Sequence, residues 1–143
     1  MISYPLHFNF EGSATSGMQN AWKAKAGPNE LPCAIPPEFG GPGNGFSPED
    51  FFGLAVLNCF IATFKVIAEK SKLPFDGIGG KATLSVDRDS SGRPWMANMQ
   101  IKIEIQPGST NADKLLKTMQ KAAENCMVAN SLKTAVQFEF AVS

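Results

Sequence analysis

Charge of either sign in excess is missing from this 143-residue chain: 13 acidic residues balance 13 Lys and Arg, for a formal net charge of zero. No cluster of Lys or Arg is interleaved with aromatics, so the electrostatic footprint of a nucleic-acid binder is absent. Histidine is reduced to His7 alone. With no second histidine and no serine-nucleophile motif, neither a histidine-rich metal centre nor a Ser-His arrangement is expected. Three cysteines, an odd number with no CxxC, fit neither a disulfide framework nor a tetrahedral zinc site. The opening Met1-Ile2-Ser3-Tyr4-Pro5 has no basic patch followed by an apolar run, which leads us to expect a cytoplasmic protein. The longest uncharged run, Phe51 to Phe64, is fourteen residues interrupted by Asn58 and Thr63. A bilayer needs about 20, so a core helix is expected rather than a membrane span.

What is present is ordinary for a globular domain: 43% hydrophobic and 18% charged residues in a length that suits one core. No repeat, linker or low-complexity segment divides residues 1–143, which predicts a single domain. The first forty-odd residues alternate briefly, as at Phe8 and Phe10, between Gly, Pro and Asn breaks, predicting two or three short strands. Pro36 to Gly45 combines prolines, which have no amide donor, with glycines that pay maximal backbone entropy, so a loop is expected. Ser47 as N-cap, Pro48 in the first turn and Asp50 in the capping-box position open a helix that runs to about Ser71. Such a helix is roughly 35 Å long, and its apolar composition predicts burial on most sides.

Ala82, Leu84 and Val86, then a turn at Asp89-Ser90-Ser91-Gly92, then Met99, Ile101, Ile103 and Ile105 describe a hairpin with one wet face. Ser109 or Asn111 would cap a second helix whose apolar positions Leu115, Leu116, Met119, Ala122 and Ala123 end near Cys126. Val136, Phe138, Phe140 and Val142 alternate in a last strand. Strands, long helix, hairpin, helix and strand make an α+β fold with antiparallel sheets.

The remaining chemistry lies in thiols. Gly77-Ile78-Gly79-Gly80-Lys81-Ala82-Thr83 precedes a strand and lacks the glycine spacing and hydroxyl of a phosphate loop. Cys33, between Pro32 and Ala34, reads as incidental. Cys59 has two readings of about equal weight: an apolar filler made inert by burial, or a nucleophile that needs a cation or donor beside it. Cys126, at the end of the second helix, faces the negative end of the dipole, which disfavours thiolate and suits a resolving rather than an attacking role.

Ser47-Pro48-Glu49-Asp50-Phe51-Phe52, Asn58-Cys59-Phe60 and Glu124-Asn125-Cys126-Met127-Val128-Ala129-Asn130-Ser131-Leu132 together resemble the OsmC/Ohr family, from the glycine-rich loop to the last strand. The resemblance implies a thiol peroxidase acting on organic hydroperoxides, built as an intertwined homodimer with two interfacial sites and no bound cofactor. By position, Cys59 would be the peroxidatic cysteine and Cys126 the resolving one, with a dithiol reductant, lipoyl-linked in some members, reopening their disulfide. Glu49 matches the glutamate that holds a catalytic arginine in the family. The chain's arginines are Arg88 and Arg93, both in the hairpin, so Lys23 or Lys25 is the expected substitute cation. The alternative is a non-catalytic small-molecule-binding or stress-related dimer that lacks the activating arginine.

Overall fold

A computed structural model describes every residue from Met1 to Ser143. They form two compact units, Met1–Phe51 and Phe52–Ser143.

In the first unit, β1 (Phe10–Ser13), β2 (Trp22–Ala26) and β3 (Asn29–Cys33) make an antiparallel sheet in that order. Gly27 closes the β2–β3 turn at φ 57°, a left-handed value that glycine adopts without a Cβ penalty. That turn sets the register, pairing Ala26 with Asn29 and Trp22 with Cys33. The glycine-rich loop follows, and at Gly41 a Cβ would collide with the carbonyl of Ile35. Ser47 and Asp50 then cap helix α1 (Pro48–Lys70) reciprocally. The Asp50 N–H donates to Ser47 Oγ at 3.0 Å, and the Ser47 N–H donates to Asp50 Oδ2 at 2.9 Å.

In the second unit, β4 (Gly77–Arg88) and β5 (Pro94–Gln106) form the expected hairpin, with a bulge between Ser85 and Val86. Helix α2 (Ala112–Glu124) and the single turn α3 (Met127–Asn130) carry the chain across to β6 (Ala135–Val142). β6 pairs with β5 in parallel, so this sheet is mixed where antiparallel pairing was expected. A parallel partner requires a crossover, and α2 with α3 supplies it.

Met99, Ile101, Ile103 and Ile105 of β5 are at most 1% exposed and alternate with Gln100, Lys102, Glu104 and Gln106 on the wet face. Against them lie Val56, Phe60, Phe64 and Ala68, one stripe of α1 at four-residue spacing, and Leu115, Met119 and Ala122 of α2. Phe60 is the hub: its ring centroid lies 5.1 Å from that of Phe138 and 5.6 Å from that of Phe140. Asn111 caps α2 by accepting the Lys114 N–H at 3.1 Å. By length and composition α1 would suffice to span a bilayer, which its fourteen uncharged residues alone do not suggest. Within the chain, α1 buries one stripe rather than most of its sides, leaving Leu54 at 43% and Val66 at 52% exposure.

Candidate active site

Cys59 lies on α1 three residues after Val56 and four before Thr63, spacings that put the three positions on one helical face. Its neighbour Phe60 points into the core, and Cys59 packs at the core's margin, half-buried and as a free thiol. One turn on, Thr63 Oγ1 stands 4.0 Å from Cys59 Sγ, within the longer reach of a hydrogen bond to sulfur.

Cys126 reaches the same face from across the core. Helix α2 ends at Glu124, Asn125 donates its backbone N–H to the carbonyls of the last turn, and Cys126 takes the N-cap position of α3. The chain therefore turns sharply here, and the Cys126 side chain is wholly buried. Its thiol lies 4.0 Å from the Val56 carbonyl oxygen on α1, to which it donates, and beside the Cys59 thiol.

Burial is the main force pushing the Cys126 thiol above its ordinary ionisation range. The Ala129 amide opposes it; the nearby Cys59 adds to the upward shift, and the Val128 amide again opposes. The expectation that a helix C-terminus disfavours the thiolate is thus corrected in cause. Cys126 sits two residues past α2, with backbone amides of α3 near its sulfur, and desolvation is what keeps it protonated.

The other expected residues lie in the first unit. Glu49 occupies the first turn of α1, and its Oε2 is buried without a hydrogen-bond partner. Lys23 Nζ pairs instead with Glu30 across β2 and β3 at 3.2 Å, and Lys25 is an exposed residue of β2. Neither lysine forms an ion pair with Glu49. In the second unit, Arg88 donates to the Gly92 carbonyl at 2.7 Å, closing the β4–β5 turn, and Arg93 is exposed beside it. Cys33 is a buried residue at the end of β3.

The sequence reading brings Cys59 and Cys126 to notice and passes over Thr63, which it takes only as a polar interruption of an apolar run. The available signal was the spacing: a hydroxyl four residues after a candidate thiol shares its helical face.

Two unlike free thiols, one half-buried on a long helix and one buried at the α2–α3 junction, lie near one another in an α+β domain. The model of the OsmC-like protein family matches residues 41–141, and the chain belongs to that family. Solved structures agree in fold. An OsmC-like protein of unknown function from Vibrio cholerae superposes with a TM-score of 0.85 at 18% identity, covering 95% of this chain and 99% of that one. An organic hydroperoxide resistance protein OsmC from Legionella pneumophila gives 0.76 at 19% identity, with 99% of each chain covered. A putative organic hydroperoxide resistance protein from Vibrio cholerae, with captopril bound in one of its active sites, gives 0.74 at 18% identity, covering 98% and 93%. No curated protein sequence matches the chain.

Proposed function

We propose that this protein is a thiol-dependent peroxidase that reduces organic hydroperoxides. The observation that carries the reading is the juxtaposition of the half-buried Cys59 thiol with the buried Cys126 thiol. Two free thiols held together on rigid elements do what neither does alone. The first can be oxidised, and the second can trap the product before further oxidation.

The Cys59 thiolate attacks the distal oxygen of ROOH; the S–O bond forms, the O–O bond breaks, and the alkoxide leaves as ROH after taking a proton. Cys59 is then a sulfenic acid. The Cys126 sulfur attacks the Cys59 sulfur, losing its proton, and water departs as the S–S bond forms. A dithiol reductant returns both cysteines to thiols and leaves as its own disulfide. No bound cofactor enters these steps, and a reducing cytoplasm is the compartment that suits them.

A homodimer is part of the proposal. Leu54 and Val66 of α1 and the alternating Ile2, Tyr4, Leu6, Phe8 and Phe10 are all exposed, an amount of apolar surface that a second copy would cover. Glu49 then has its cation to find outside its own unit's lysines.

The unpartnered Glu49 Oε2 favours a second reading, a family member that binds small molecules without turning over peroxide. Purified protein with a dithiol and cumene hydroperoxide separates the two. Consumption of peroxide that disappears in Cys59→Ser supports the peroxidase, and an unchanged rate in that variant contradicts it.

A further inference from the structure

A threonine inside a helix ordinarily turns its hydroxyl back to the carbonyl four residues earlier, because that oxygen is within reach and the hydroxyl is otherwise unpaired. Thr118 on α2 does this, donating to the Lys114 carbonyl at 2.8 Å. Thr63 on α1 does not: its hydroxyl partner is the Cys59 sulfur, at 4.0 Å. The two threonines share a residue type and a helical setting, so the side chain of Thr63 is directed by something other than its backbone.

The direction of that contact depends on the charge of the sulfur. While Cys59 is a thiol, either the S–H or the O–H can donate. Once Cys59 ionises, the sulfur has no hydrogen, and only the Thr63 hydroxyl can donate. Hydrogen bonds to an ionised acceptor are shorter and about twice as strong as neutral ones, so the contact favours the thiolate over the thiol. Helix α1 carries no charged side chain from Phe51 to Phe64, and the neighbouring Cys126 thiol is itself held protonated by burial.

We propose that Thr63 is the neutral donor that stabilises the Cys59 thiolate and holds the sulfur in position for attack. It supplies from one helical turn away the stabilisation for which this chain has no arginine outside the β4–β5 hairpin. The proposal rests on Cys59 being the attacking thiol, yet it makes a claim about ionisation that can be read without peroxide.

The test is the rate of carbamidomethylation of the Cys59 peptide by iodoacetamide, followed by mass spectrometry across pH, in full-length wild type, Thr63→Val and Thr63→Ser. Valine keeps the shape and removes the hydroxyl; serine keeps the hydroxyl. The midpoint for Thr63→Val is expected about one pH unit higher, a roughly tenfold smaller thiolate fraction at neutral pH, with Thr63→Ser close to wild type. Thr63→Ala carries the same expectation if the valine variant does not fold. A midpoint unchanged on removing the hydroxyl overturns the proposal, as does an equal shift in the serine variant, which would trace the effect to packing. If the shift occurs and no variant, wild type included, consumes hydroperoxide, the peroxidase reading fails and the donor role stands.

Discussion

Cys126 donates its thiol to the carbonyl of Val56, 4.0 Å away and seventy residues earlier in the chain. The contact ties the α2–α3 junction to the same face of α1 that carries Cys59. It orients the Cys126 thiol toward α1. Cys126 is wholly buried, whereas Cys59 is half-buried.

The two thiols should therefore differ in reach. Native protein treated with iodoacetamide is expected to lose Cys59 first, with Cys126 and Cys33 modified only after denaturation, since both are buried and Cys59 is half-buried. Peptide mass spectrometry after graded exposure reads this directly. Equal rates at Cys59 and Cys126 would contradict the asymmetry.

Stability should depend on Cys126 at alkaline pH. Its folded-state ionisation is raised above the ordinary cysteine value of 9.0, mainly by burial. Its contribution is fully present below that value and is lost as pH rises, because the unfolded chain releases the proton first. Wild type is expected to lose stability more steeply above about pH 9 than Cys126→Ala, by denaturant titration at several pH values. Parallel curves for the two proteins would contradict it.

Phe60 joins α1 to β6 through Phe138 and Phe140 and is completely buried. Phe60→Ala is expected to destabilise the fold by about 3–5 kcal/mol, the transfer term plus the cavity. Urea unfolding gives the number, and a loss below about 1 kcal/mol would mean that the aromatic cluster repacks without it.

Asn111→Ala removes the side chain that accepts the Lys114 N–H and should cost about 1 kcal/mol, with Asn111→Asp close to wild type. The comparison isolates the cap from any other role of the position. Loss in both variants would point to packing.

Local chemistry was legible in the sequence wherever one residue decides the backbone. Ser47, Pro48 and Asp50 announce the start of α1, and the alternation of Met99, Ile101, Ile103 and Ile105 announces which face of β5 is dry. Alternation carries no strand direction, so the parallel pairing of β6 with β5 could not be read from Val136 to Val142. The end of α2 near Cys126 was legible, but its cause was not. Asn125 and Cys126 are compatible with one more turn of α2, and only burial of Cys126 against Val56 shows why the chain turns there. The thiols were legible as candidates, but their proximity depends on residues 67 apart (126 − 59) meeting across a core.

One measurement bears most directly on the central claim: thiol titration and non-reducing peptide mapping after one equivalent of cumene hydroperoxide is added to reduced protein. The expected result is the loss of two thiols per chain, with Cys59 and Cys126 recovered in one disulfide-linked peptide pair and Cys33 still free. Retention of all three thiols, or a disulfide that does not join Cys59 to Cys126, would contradict it.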